Sequence, residues 1–144
     1  MSGSNYWNYN GWFGMDREIR LEPGVFDEDA RDVFCRGHCH SLALALEEMI
    51  PGATLYGLWD DGELQHVFVQ LPSGDYLDGN GLVDEDYLLR TATDEAFIEM
   101  LDFGDIEWQE DTGRYRARRV EDAIPFARAL LDRERVETGL LTAA

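Results

Sequence analysis

Cys35-Arg-Gly-His-Cys39-His-Ser-Leu-Ala-Leu-Ala-Leu46, continuing through Glu47-Glu48-Met49-Ile50 to Pro51-Gly52, is the stretch on which the fold turns. From Ser41 to Ile50 the side chains are apolar on nearly every side, which predicts a helix buried inside the domain rather than one lying on its surface. Only Glu47 and Glu48 want water. Pro51-Gly52 ends the helix, because proline disfavours helical geometry in the residue before it and glycine accepts the turn that follows. Gly37 loosens the backbone on the other side, so Cys39 is expected at or just before the first helical turn. A thiol placed there faces unsatisfied backbone N–H groups and the positive end of the helix dipole, and both favour the thiolate.

Two strand-like runs follow, Ala53 to Trp59 and Leu64 to Leu71, separated by Asp60-Asp61-Gly62, a strong hairpin signal. A second turn at Pro72-Ser73-Gly74 leads into Asp75-Tyr76-Leu77-Asp78. The register of this second turn decides the chemistry. A four-residue loop would set Asp78 opposite Val69, on the face away from His66, because side chains alternate along a strand. A three-residue loop with Gly74 in the left-handed position sets Asp78 opposite Phe68, on the face of His66 and at a diagonal separation of roughly 7–8 Å between Cβ atoms. The three-residue register is the expected one. The chain then offers a thiol, an imidazole and a carboxylate in order, the set that activates a cysteine nucleophile.

Gly37-His-Cys39-His-Ser-Leu-Ala-Leu-Ala-Leu, followed by His66-Val-Phe-Val and Tyr76-Leu-Asp78-Gly, resembles the core of a small papain-like cysteine hydrolase. Transglutaminase-like and NlpC/P60-type domains share this order. The resemblance covers about a third of the chain and rests on short motifs. It implies that Cys39 is the nucleophile, His66 the general base and then acid, and Asp78 the group that orients the imidazole. Many such enzymes carry a Gln oxyanion donor about six residues before the cysteine, where this chain has Val33. The oxyanion hole is therefore expected from the Cys39 and His40 backbone N–H groups, with Gln65, Trp59 or Asn80 as the further donor. His38 and His40 flank the nucleophile and are expected to line the cleft. The implied chemistry is thiol-dependent acyl transfer, with peptidase, amidase, deamidase and transglutaminase outcomes all open.

Against this stands the reading of Cys39 as a buried small hydrophobe, with His66 and Asp78 as ordinary strand and turn residues. Cys35, four residues before Cys39, reads as structural. Cys35, His38, Cys39, His40 and His66 would be donors enough for zinc, but their spacing lacks the paired knuckles of structural zinc sites, so no metal and no cofactor is expected.

Thirty acidic residues stand against twelve basic ones, a net charge of −18, and every basic residue is arginine. Such a field repels phosphate, so direct binding of nucleic acid is disfavoured and a basic protein or peptide substrate is expected. A different class of function fits the same charge: an acidic binding or inhibitor protein, a degenerate enzyme or a DNA mimic, that occupies a basic partner. Its carboxylates, however, are scattered through every segment. Two closely spaced cysteines suggest a reducing cytoplasm. Residues 1–14 lack the pattern of a signal peptide, and no apolar run suffices for a membrane span.

The remaining segments read as support. Tyr6-Trp7-Asn8-Tyr9 and Trp12-Phe13 are expected to lay their rings over the core. Asp27 to Phe34 reads as a short helix, Thr93 to Leu101 as an amphipathic helix with Phe97, Ile98 and Leu101 on one face, and Ile106–Gln109 with Arg114–Arg119 as a late hairpin turned by Glu110-Asp111-Thr112-Gly113. Glu121 to Glu137 reads as the terminal helix, with Ala123, Ile124, Ala127, Leu130 and Leu131 inward, and Thr138 to Ala144 as a frayed tail. The expected fold is one α+β domain over residues 1–144. Its buried nucleophile-bearing helix, N-terminal in the chain, packs on a small, mainly antiparallel β-sheet, with further helices C-terminal.

Overall fold

The computed structural model describes residues 5–10 and 15–136. Trp12, Phe13, Glu137 and the tail from Thr138 lie outside the described residues. The elements run β1 (Tyr6–Asn10), β2 (Asp16–Arg20), α1 (Glu28–Cys35), α2 (Cys39–Met49), β3 (Thr54–Asp60), β4 (Glu63–Gln70), β5 (Tyr76–Asp78), β6 (Gly81–Val83), α3 (Glu85–Leu88), β7 (Phe97–Met100), α4 (Phe103–Asp111) and α5 (Val120–Glu134). The fold is α+β, with a five-stranded sheet ordered β6-β5-β4-β3-β7 in which each neighbouring pair is antiparallel. A separate two-stranded ribbon joins β1 to β2.

Local chemistry explains the central elements. Asp27 caps α1 by accepting from the Ala30 N–H at 3.0 Å, which satisfies one of the donors a helix start leaves over. In α2 every residue from Cys39 to Leu46 is buried, as its continuous apolar run requires. The β3–β4 hairpin turns on Asp61 (φ 53°) and Gly62 (φ 75°), both left-handed as a two-residue turn between twisted strands demands. After β4 the chain takes the three-residue loop: the Leu71 N–H donates to the Asp75 carbonyl at 2.8 Å, and Val69 pairs with Leu77. Asp78 therefore falls opposite Phe68, on the face of His66.

Two apolar clusters flank the sheet. The main one joins α1, α2 and α5 to the inward residues Leu55, Val67, Val69 and Leu77. Trp7 is buried in it, edge-on to Phe34 at 5.0 Å and to Phe126 at 5.9 Å, and Tyr9 packs against it, whereas Tyr6 is 53% exposed and does not cover the core. The second cluster, on the opposite face, gathers Leu58, Phe68 and Leu88 under Tyr56, Tyr76, Ala96 and Ile98.

Two expectations are corrected. Residues 93–101 do not form a helix: Phe97–Met100 is strand β7, paired with β3 from Tyr56↔Met100 to Trp59↔Phe97. Thr93 is not a helix cap either, because its hydroxyl is held by the Asp60 carboxylate at 2.5 Å. Nor do residues 106–119 form a hairpin. Phe103–Asp111 is helix α4, with the Asp105 side chain accepting from the Asp102 N–H at 3.0 Å, and Gly113 (φ 78°) ends that helix instead of turning a hairpin. Arg114–Arg119 is an irregular return segment. α5 ends at Glu134, with Phe126 buried alongside the expected inward residues and Ile124 only partly buried.

Candidate active site

Cys39 is the first residue of α2, after His38 at the cap position. The N–H groups of Cys39, His40 and Ser41 therefore belong to the first helical turn, where no carbonyl of the same helix reaches them. No acidic residue stands in that turn to offset the positive end of the helix dipole. Gly37 allows the approach to this helix by close contact. A Cβ there would meet the Tyr9 Cα and an Arg116 guanidinium nitrogen, each at 3.0 Å, so β1 and the return segment lie directly against the loop that carries the thiol.

His66 and Asp78 are brought together by the register of β4 and β5. Nε2 of His66 lies 2.9 Å from Oδ2 of Asp78. The other carboxylate oxygen accepts from the Asn80 N–H at 2.7 Å, in a turn that locks the acid in place. Asp78 is 3% exposed. With Nε2 engaged by the acid, Nδ1 is the ring nitrogen left for the thiol. His66 alternates with Val67 and Val69 of the main core and lies beside Phe68 of the second cluster, the two rings 5.5 Å apart. The cleft into which it opens is lined by Cys35 of α1 as well as by Leu58 and Leu88, so the imidazole stands at the rim where the two layers meet.

The electrostatics of thiol and ring run in opposite directions. Burial alone would push the Cys39 thiol up, but the imidazoles of His40 and His66 beside it more than offset this and bring it down to about 6. Burial alone would push His66 down, but Asp78 and the Cys39 sulphur more than reverse that and raise it to about 10. The two shifts together favour the thiolate at Cys39 and the imidazolium at His66 between those values. Cys35 is the contrast. Burial first, then the charges of Asp78 and Cys39, push its thiol up to about 12, which leaves it inert across the same range.

The other expected site residues divide. Gln65 lines both the His66 cleft and a narrower cleft of about 150 Å³ that holds Cys39 and His40. Asn80 lines the His66 cleft and the neighbouring one beneath Arg31 and Arg133. His40 is fully buried, with its Nε2 donating to the Arg116 carbonyl at 2.7 Å. Its Nδ1 has no hydrogen-bond partner among the described residues.

His38 and Trp59 are not brought into these clefts. His38 is 3% exposed, with its ring edge-on to Trp7 at 4.9 Å and its Nδ1 3.4 Å from the Ser41 hydroxyl. It sits at the cap of α2, behind the thiol, so it supports the helix start. Burial first, then His40 and nearby arginines, pull His38 down to about 3. Trp59 lies at the end of β3, between Leu64 and Phe97, and packs on the main core.

Tyr115 is a site residue that the pattern concealed. Its hydroxyl donates to the Leu64 carbonyl at 2.9 Å. Burial, and then the negative charge of Cys39, push the phenol up, so it stands protonated beside the sulphur. The signal that could have found it is Gly113. Both the Arg114 and the Tyr115 N–H donate to the Gln109 carbonyl, at 2.9 and 3.0 Å, and this helix ending folds the chain back across the first turn of α2.

Among the described residues no three His, Cys, Asp or Glu side chains converge so as to hold a metal ion. No helix among the described residues is long and apolar enough to cross a membrane. Compared with protein families, with curated proteins and with solved structures, the chain has no match in any of the three.

Proposed function

We propose that the protein is a thiol-dependent acyl-transfer enzyme that uses Cys39, His66 and Asp78, with a papain-like order of parts and a protein or peptide as substrate. The observation that carries this reading is the 2.9 Å bond between His66 Nε2 and Asp78 Oδ2, which leaves the opposite ring nitrogen for a thiol at a helix start. In the forward step the Cys39 thiolate attacks an acyl carbon and forms a C–S bond. The oxyanion that develops lies near the N–H groups of the first turn of α2. As the C–N or C–O bond breaks, the His66 imidazolium passes its proton to the leaving group, and a thioester remains. Water or an amine then attacks the thioester, His66 takes up the proton released, and the thiolate is regenerated.

The direct test is acylation by p-nitrophenyl acetate. One equivalent of p-nitrophenolate is expected in a burst, with a mass increase of one acetyl group on Cys39 and none on Cys35, and Cys39→Ala is expected to abolish both. A protein that shows no burst, and whose two cysteines react equally slowly with iodoacetamide, would not be this enzyme. The reading as an acidic binding protein would then take its place.

A further inference from the structure

Cys39 is only 8% exposed, and it lines a cleft of about 150 Å³. That is smaller than the few hundred Å³ of a typical small-molecule site and suits a group the size of one residue. Its wall contains Arg36, Arg114 and Arg116, together with Tyr115 and Gln65, and among the described residues no carboxylate. In a chain of net charge −18 this is a local reversal of sign. The adjoining clefts add Arg90, Arg31 and Arg133 but also Asp78, Asp84 and Glu134, so the surplus of arginine is confined to the cleft that holds Cys39.

The present partners of Arg114 and Arg116 are exchangeable. Arg114 holds Glu63 at 3.0 Å and Arg116 holds Asp16 at 2.5 Å, and those carboxylate side chains are 53% and 78% exposed. Ion pairs with such exposed acids contribute little, so an incoming carboxylate can share or replace them. The outer field of the protein favours a basic approach, but the last few ångströms before the sulphur do not.

We propose, resting on the reading of Cys39 as the nucleophile, that the acyl substrate bears a carboxylate close to the reacting carbonyl, received by Arg114 and Arg116 with Arg36 at the mouth of the Cys39 cleft. An acidic side chain next to the bond attacked and a free terminal carboxylate both meet this description.

Iodoacetate and iodoacetamide test it, because they differ in the carboxylate and transfer nearly the same group to sulphur with loss of iodide. The rate at Cys39 is read by peptide mass at neutral pH, with free cysteine as standard. The expected iodoacetate-to-iodoacetamide rate ratio at Cys39 is about tenfold above that of free cysteine, the gain that focusing of charge in a cleft provides. It is expected to fall towards the free value in Arg114→Gln and Arg116→Gln and at high salt, and to be unchanged in Arg128→Gln, exposed on α5.

Fast iodoacetamide labelling of Cys39 with a ratio no higher than that of free cysteine would overturn the carboxylate proposal and leave the nucleophile standing. A high ratio indifferent to both arginine substitutions would assign the attraction to the His66 imidazolium and would also overturn it. A Cys39 slow towards both reagents would remove the nucleophile reading and this inference together.

Discussion

Asp78 does two jobs with its two oxygens, one on the His66 ring and one on the Asn80 backbone, and substitution can separate them. Asp78→Asn keeps an acceptor for the turn and removes the charge that holds the imidazolium. The iodoacetamide midpoint of Cys39 is then expected to rise from about 6 towards an ordinary thiol, and acylation to slow by roughly a hundredfold or more, the scale on which a positioned acid–base group acts. A midpoint unmoved by the substitution would show that His66 does not depend on the acid. In the unsubstituted protein, iodoacetamide labelling should rise through pH 6, as the thiol ionises, and stay high, whereas acyl transfer from an amide, whose leaving group needs a proton, should decline near 10, as His66 loses its own. His38 makes a different prediction, about stability. Its folded value of about 3 lies below the ordinary 6.5, so between those values the unfolded chain binds a proton that the folded protein does not. Stability should therefore fall as pH drops from 6.5 towards 3, by at most about 1.4 kcal/mol per pH unit. His38→Asn should flatten that slope in urea titrations at pH 6.5 and 4.5, and an unchanged slope would clear His38 of the effect.

At the scale of elements, what was legible followed from strong local chemistry. The apolar run of α2 has one place to go, Asp61-Gly62 has one turn to make, and Gly74 (φ 97°) pins the three-residue loop that puts Asp78 on the face of His66. Because that register brings His66 and Asp78 together, this part of the candidate site was legible in the sequence. The misreadings came where two periods fit the same letters. In Ala96-Phe97-Ile98-Glu99-Met100-Leu101 a helical face through Phe97, Ile98 and Leu101 competes with alternation. The sheet decided it: Ala96 and Ile98 join the second cluster while Phe97 is 50% exposed. β3, hydrogen-bonded on one side to β4, gains a second partner that no local preference announces. Gly113 was ambiguous in the same way, since a hairpin and a helix end both ask for a left-handed glycine, and the wrong choice concealed Tyr115. Gly37 offers the clearest test at this scale. Gly37→Ala would press a methyl group onto the backbone of β1, with the Tyr9 Cα at 3.0 Å and the Asn8 carbonyl at 3.3 Å, neither of which can swing aside as a side chain can. A loss of about 1–3 kcal/mol is expected from such overpacking, read as a lower urea midpoint, together with slower acylation as the ribbon shifts from the loop before Cys39. Full stability in this variant would mean that β1 is not held against the loop.

Over the whole molecule, the surplus of negative charge acts on the fold itself. Thirty acidic residues and twelve arginines share a chain of 144 residues, and the arginines gather at the site and the return segment, where Arg114, Arg116, Arg118 and Arg119 each hold a carboxylate. Elsewhere carboxylates face like charges: Glu47 and Glu48 are neighbours at the end of α2, and Glu47 is pushed up by its partial burial and by Glu48. Unfolding would let such charges separate, so self-repulsion opposes the compact state. Salt shortens the reach of that repulsion from about 30 Å at 0.01 M to about 8 Å at 0.15 M, while pairs in contact are screened less. The protein should therefore be stabilised by sodium chloride, with Tm rising by several degrees between 0.01 and 0.5 M at neutral pH and most of the gain below 0.2 M, where the screening length changes most. The same salt series should erode the iodoacetate preference of Cys39, because that preference is an attraction and the fold's burden is a repulsion. A Tm that falls with salt would mean that the arginine pairs outweigh the surplus of carboxylates, and the acidic surface would then be a stabilising network rather than a load on the fold.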